Sequence, residues 1–326
     1  METQPSIQTD IVETPRKVRF SFRRYFPVIL FLALCAVFGL LSPRFLTPTN
    51  LAIVLQQTVV LLVAALGMTF VIIAGSIDLS VGSIVAIAAL VAASLSGDLG
   101  IWAIIPAMFV GTVAGLLNGL IFAKGKVPSF MVTLGTLVAY RGIVLYFTRG
   151  APVEITDVVF LRTYSGRTAD IPNAAIIALF VAIIAYIIFN YTVFGREVRA
   201  VGGGERVAVL TGIKVDRVKI LVFTLSGLLC GLAGLLQSAR VYAATAQLGQ
   251  GLELDVIAAV VVGGTPLTGG VGSIQGTVLG ALIITILSNG MNMLGVDPYI
   301  QNMVKGVVLV GAVFVTIDRA KIGIIK

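Results

Sequence analysis

Histidine is missing from all 326 residues. Its absence removes the usual general base at neutral pH and the commonest metal ligand. It also excludes Ser-His-Asp and Cys-His nucleophilic sets. Cysteine occurs twice, at Cys35 and Cys230, each inside an apolar run. No disulfide framework is implied, and cysteine usage says nothing about redox compartment. Charge is scarce: 12% of residues are charged and 58% are hydrophobic, against about 25% and about 45–50% in soluble domains. Phosphate-binding loops are missing as well. AKGKVPS at 123–129 has a Gly-Lys but lacks the upstream glycine and the following Ser or Thr of G-x-x-x-x-G-K-[ST]. GGVGSIQG at 269–276 lacks the third glycine and the strand–helix setting of a dinucleotide loop. Catalysis by this chain is not expected, and neither is a bound cofactor or metal.

What the chain has is length in apolar runs. Its mean hydropathy is +1.05, and a spanning helix needs about 20 such residues. Candidate spans are 26–42, 51–74, 80–96, 101–123, 127–147, 173–194, 218–240, 255–264, 274–294 and 298–317. The expected fold is an all-α integral membrane protein, a polytopic bundle of about ten transmembrane helices. The eighth run is too short to cross alone, so one or more segments are expected to be broken or re-entrant. Irregular backbone at that depth is tolerated only where protein or water covers it.

The net charge of +8 invites a nucleic-acid reading. The basic residues, however, cluster in four short stretches between apolar runs, which is how membrane orientation is written. With a basic leader at 1–25 inside, ten crossings put Lys124 and Lys126, the segment 195–217 and the tail 318–326 inside too. They put 148–172 and 241–254 outside, the second without Lys or Arg. No small-residue cleavage site follows the first run, so it reads as a retained span behind a disordered leader. Residues 26–317 then form a single transmembrane domain.

Two stretches echo one another: VIIAGSIDLSVGSI at 71–84 and VVVGGTPLTGGVGSI at 260–274. Paired glycine-interrupted segments flank transport sites in many permeases; small residues also simply let helices pack closely.

A charged island interrupts the oil. GREVRAVGGGERVAVLTGIKVDRVK at 195–219 carries six positive and three negative side chains. After a glycine hinge at 202–204, ERVAVLTGI is expected to form one or two helical turns. Either of two sets, Val207, Leu210 and Thr211 or Val207, Val209 and Ile213, would show a small apolar face. Such a helix suits a docking surface for a partner; a solvated tether between spans fits the pattern as well.

Polar residues inside spans are costly and point to function. Asp78 sits at an expected break, where it caps the helix restarting at Leu79 or takes part in gating. Arg141 snorkels outward or pairs with an acid such as Asp78. Lys305 lies about two turns into the last span. Gln56, Gln57, Asn118, Gln237, Asn289, Asn292, Gln301 and Asn302 are amides. Amides answer sugar hydroxyls as donors and acceptors, and they also serve as interhelical glue. Tentative pathway or gating residues are Gln56, Gln57, Asp78, Asn118, Arg141, Asn289, Asn292 and Gln301. Acids are too sparse in the spans for a proton relay, which counts against an ion-coupled secondary carrier.

The chain resembles the permease subunit of bacterial ABC sugar importers of the ribose type, a branch related to branched-chain amino-acid permeases. The resemblance rests on LSPRFLTPTNLAIVLQQT at 41–58, GMTFVIIAGSIDLSVGSI at 67–84 and AKGKVPSFMVTLGTLVAYRGIVLYFTRGAPV at 123–153. It continues through the island at 195–220, ELDVIAAVVVGGTPLTGGVGSIQGTVLGALI at 253–283 and LSNGMNMLGVDPYIQNMVKGVVLVGAV at 287–313. In the island, Gly195, Arg196, Ala200, Gly202, Gly203, Ala208, Gly212 and Ile213 fit the family's pattern. Gly204, Val207 and Thr211 depart from its usual Asn, Ala and Ser.

The resemblance implies that the island couples to a cytoplasmic ABC ATPase subunit through Gly195, Arg196, Arg199, Gly202, Gly203, Glu205, Arg206, Ala208 and Gly212. ATP and magnesium would belong to that partner. It also implies a periplasmic sugar-binding protein, received at 148–172, and a second permease subunit in a homo- or heterodimer. The setting implied is the bacterial inner membrane, surrounded by lipid, with both termini cytoplasmic and no nucleic-acid partner. The substrate implied is a monosaccharide or related polyol; a nucleoside or branched-chain amino acid is the alternative. Deleting 155–168 is expected to abolish uptake without preventing insertion.

Overall fold

A computed structural model describes residues 22–316. Residues 1–21 of the expected leader and the expected tail, 318–326, lie outside the described residues. The leader's boundary moves: α1 covers Phe22–Leu41, so residues 22–25 are already helical.

The helices follow the apolar runs, and local chemistry sets their ends. Helix α2 (Pro48–Ile73) starts where Thr47 Oγ1 accepts the Asn50 N–H, with Pro48 in the first turn. Proline suits that position because its missing N–H has no helical partner there. Helix α3 (Val81–Leu99) passes through a 3-10 turn at Gly100–Ala103 into α4 (Ile104–Gly125). Asn118, late in α4, donates to Ser80 Oγ just ahead of α3 at 2.7 Å. The two helices therefore run antiparallel.

Helix α5 (Ser129–Thr148) leads into the connection carrying β1 (Val153–Glu154), α6 (Val158–Tyr164), β2 (Arg167–Thr168) and β3 (Ile171–Pro172). Helix α7 (Asn173–Tyr191) follows, then α8 (Val193–Gly203), α9 (Glu205–Leu210) and the long α10 (Val215–Val241). The chain closes with β4 (Ala243–Ala244), α11 (Leu252–Val262), α12 (Ile274–Met293) and α13 (Pro298–Thr316).

Helix α10 is the axis. It packs on α2, α3 and α4, and its 27 residues reach about 40 Å. Against α4 the backbones touch. A Cβ on Gly115 would overlap the Phe223 carbonyl, and one on Gly227 would overlap that of Gly111. Small residues that allow such approach drive helix association where lipid removes the hydrophobic incentive. The outer helices present apolar side chains instead: Phe147 on α5, Phe180 on α7 and Val307 on α13 are well exposed.

Among the described residues, six helical runs are long and apolar enough to cross a membrane, and one is the 45-residue run that holds both α3 and α4. Two shorter apolar helices lie at 25–41 and 298–314. The expected eighth span is the 11-residue α11. It reaches about 16 Å, short of the roughly 30 Å hydrocarbon core.

Two connections are tied together. β1 pairs antiparallel with β4, Val153 opposite Ala244, so 148–172 and 241–254 lie at the same end of the molecule. Residues 148–172 are a packed piece rather than a free arm, since Phe160 and Tyr164 are buried and the Tyr164 hydroxyl donates to Ile101 O at 2.7 Å.

Candidate functional site: a coupling surface and a polar interior

The island folds as two helices. Thr192 Oγ1 caps α8 by accepting the Gly195 N–H at 3.2 Å. Gly195, Val198 and Val201 recur at helical spacing and are buried, on a body of α2, α7 and α10. The expected hinge at 202–204 is corrected here: α8 continues through Gly202 and Gly203, and the chain breaks only at Gly204. The guanidinium of Arg199 lies 4.7 Å from the Phe189 ring centre. Lys219 holds Glu205 at 2.8 Å and so ties α9 to α10. Arg196 and Arg206 are exposed and form no ion pair among the described residues.

In α9 only Ala208 turns inward. Val207, Val209 and Leu210 point away from the bundle, Leu210 at 87% exposure. Neither expected apolar set matches fully, because Thr211 joins the exposed face as a polar group and Ile213 is half-buried. Gly212, at φ +85°, lets the chain turn out of the helix, with Ile213 N donating to Ala208 O at 3.1 Å.

The two echoing segments have the same ending. Ala74, Gly75 and Ser76 donate to Phe70, Ile72 and Val71. Gly263, Gly264 and Thr265 donate to Ala259, Val261 and Val260 in the same register. The breaks then meet: Gly270 N donates to Ile73 O at 2.9 Å. The end of α8 sits on that junction. A Cβ on Gly202 would overlap Ile73 O and crowd Gly270 N, and one on Gly270 would come 3.0 Å from Gly203 Cα. Three backbones thus converge, and Gly202 and Gly270 leave no room there for a side chain.

Asp78 is fully buried in a hydrogen-bonded chain. Its Oδ1 accepts the Ser80 N–H at 3.0 Å and the Ser80 hydroxyl at 2.6 Å, and its Oδ2 accepts Ser226 Oγ at 3.3 Å. Asn118 joins Ser80 on one side and accepts the Tyr140 hydroxyl at 3.3 Å on the other. Asp78 locks the break as a cap would, though the helix restarts at Val81 rather than Leu79. The expected Arg141–Asp78 pair does not form. Arg141 donates instead to the carbonyls of Ala246 and Leu248, and it pins the connection between β4 and α11. Lys305 pairs with Asp255 at 2.8 Å.

The amides divide. Asn289 exchanges hydrogen bonds with Asn50 at 3.1 and 3.2 Å, and this joins α12 to α2. Gln301 donates to Asn292 Oδ1 at 2.7 Å and Val296 O at 2.9 Å. Gln56 is half-buried on α2. Gln57 and Asn292 face a half-open cavity of about 310 Å³ lined by α2, α10, α11, α12 and the segment before α11. Sequence reasoning left much of this wall out of its site: Gln237, Arg240, Gln250, Asp255 and the hydroxyls of Thr285 and Ser288. Part of the signal was legible. Gln237 and Arg240 stand three apart on α10, and Thr285, Ser288 and Asn292 share one helical face of α12.

The family model described as branched-chain amino acid transport system, permease component, matches residues 50–313. A ribose import permease protein of Escherichia coli K12 is 42% identical over 90% of this chain and 97% of its own. One from Bacillus subtilis 168 is 40% identical over 97% of this chain and 99% of its own. An L-arabinose ABC transporter permease protein of Azospirillum brasilense is 35% identical over 88% and 85%. No solved structure matches the chain.

Proposed function

Since the chain belongs to the permease-component family of branched-chain amino-acid-type transport systems, we propose that it is the membrane-spanning permease of an ABC importer that brings a monosaccharide or related polyol across the bacterial inner membrane. Its relatives are named as ribose and arabinose permeases, and the empty-handed catalytic inventory of the sequence agrees with a separate ATPase. ATP and magnesium are bound by that partner. The chain crosses ten times, with α11 and the irregular segment after it sharing one crossing. Both termini and the island lie inside; 148–172 and 241–254 lie outside, where a sugar-binding protein docks. A second permease subunit completes the importer.

The observation that carries the reading is the seat of the island. Its α9 offers Val207, Val209 and Leu210 with Arg206 to a partner, while the end of α8 rests on the backbone junction of both broken segments. A push on α9 therefore reaches the two interruptions of the bundle across a single non-helical residue, Gly204. Gly195, Arg196, Arg199, Gly202, Gly203, Glu205, Arg206, Ala208 and Gly212 form this coupling unit.

The test is uptake of labelled ribose, arabinose and xylose into proteoliposomes holding the permease, its ATPase and its binding protein, with uridine and leucine as comparison solutes. Sugar uptake that requires ATP and the ATPase, and is lost in Gly203→Pro and Arg206→Glu, is expected. Uptake without the ATPase, or of leucine alone, would contradict the proposal.

A further inference from the structure

We propose that the cavity between α2, α10, α11 and α12 is a saccharide-binding site inside the permease protomer, built for a neutral polyhydroxylated ring. The inference rests on the importer reading above and adds to it a place where the permease itself holds the sugar.

Four amides line the cavity from four parts of the chain: Gln57, Gln237, Gln250 and Asn292. Each amide can donate and accept, and that is what a hydroxyl-covered ligand requires. Two of the polar groups lack protein partners. Gln237 Oε1 is buried without a hydrogen-bond partner among the described residues. Arg240, half-buried on the same wall, forms no ion pair among them. A buried unpaired acceptor costs about 1–3 kcal/mol, and because the Gln237 side chain lines the cavity, a turn of its amide that brings this oxygen to a ligand hydroxyl would relieve that cost.

The charges narrow the class. Arg240 supplies donors only, and Asp255 supplies acceptors only. Asp255 Oδ2 is engaged by Lys305, which leaves its other oxygen for a hydroxyl. A cation would face the unpaired Arg240 guanidinium, whereas a hydroxyl can accept from Arg240 and donate to the free oxygen of Asp255. A neutral ring meets both without conflict. The remaining wall is apolar, with Val60, Leu61 and Ile284, and suits the C–H face of a sugar. A volume of about 310 Å³ falls at the small end of the roughly 300–1,000 Å³ typical of ligand sites.

The site is also held in shape. Arg141 fixes the Ala246 and Leu248 carbonyls, and a Cβ on Gly82 would overlap Gly249 O. Gly249 and Gln250 are thereby pressed against the cavity they line. Gln250 and Asp255 in addition form part of the wall of a second, mixed cavity, of about 600 Å³, that carries Asn302 and Lys305. The polar surface thus continues from the first cavity toward α13.

The experiment uses the full-length permease assembled with its ATPase in lipid nanodiscs, without binding protein. Ser288→Cys is introduced beside Cys35→Ala and Cys230→Ala, and its alkylation by a charged thiosulfonate is timed. Ribose, arabinose or xylose is expected to slow alkylation several-fold, and ribonate is expected not to. Gln237→Met should weaken the protection by about fivefold in sugar concentration, and Arg240→Met by about tenfold or more. If none of the three sugars protects while the complete importer takes up ribose, the site is wrong and the permease reading survives. Protection by ribonate alone would overturn the neutral class. If the complete importer moves none of the sugars, the site and the sugar-importer reading fall together. Protection unchanged in both the Gln237 and Arg240 variants would also overturn the site.

Discussion

Asp78 shows how a single acid is made tolerable inside an apolar bundle. Its two oxygens accept from Ser80 twice and from Ser226, so three donors on two chain segments depend on one side chain. Asp78→Ala leaves those donors unpaired and should destabilise the protein by about 1–3 kcal/mol. Asp78→Asn, which keeps one oxygen, should cost less. The melting temperature of the purified importer checks both, and an unchanged value for the alanine variant would remove the locking role. The break at Asp78 was legible from the Gly-Ser-Ile-Asp run. Its distant partner Ser226, 148 residues beyond, was not, and neither was Asn118, which bonds Ser80 from 38 residues away, because nothing local marks them. Arg141 was misread for the same reason, since its true partners are backbone carbonyls 105 and 107 residues away.

At the scale of elements, two contacts invite direct tests. Lys305 and Asp255 join α13 to α11 as a half-buried pair, 21% and 27% exposed. Removing one partner of such a partly buried pair should cost about 1–3 kcal/mol, whereas replacing both should be close to neutral. Lys305→Met alone should therefore lower the melting temperature, and Asp255→Asn with Lys305→Met should recover most of the loss. A double variant no better than the single would contradict the pairing. On α9, Leu210 contributes nothing to the core, so Leu210→Asp should leave the melting temperature alone and abolish association with the ATPase, read by co-purification. Apolar run length made most of these helices legible, and α12 begins at the residue the run predicts. Helix α8 was harder. The glycines at 202–204 look like a hinge, yet two of them are helical, and the approach of Ile73 and Gly270 explains why residue 202 is a glycine.

At the scale of the whole molecule, the pairing of β1 with β4 and the packing of α6 change how the outer face should be probed. Deleting 155–168 would remove buried Phe160 and Tyr164 and confuse docking with folding. Val158 and Val159 are exposed on the same piece. Val158→Asp with Val159→Asp should lower binding-protein-stimulated uptake while basal ATP hydrolysis stays at the wild-type rate; equal loss of both would point away from a docking role. Composition made the membrane class legible, and charge placement suggested sidedness. The convergence of α8 with both breaks could not be read that way, because it is a meeting of three backbones. The most direct measurement of the account is the number of sugars moved per ATP hydrolysed by Gly202→Ala in reconstituted importer. Coupling through the glycine junction predicts that the ATPase still binds and turns over while transport per ATP falls by about tenfold or more, since the added methyl must displace packed backbone. Wild-type transport per ATP would show that force reaches the bundle by another route.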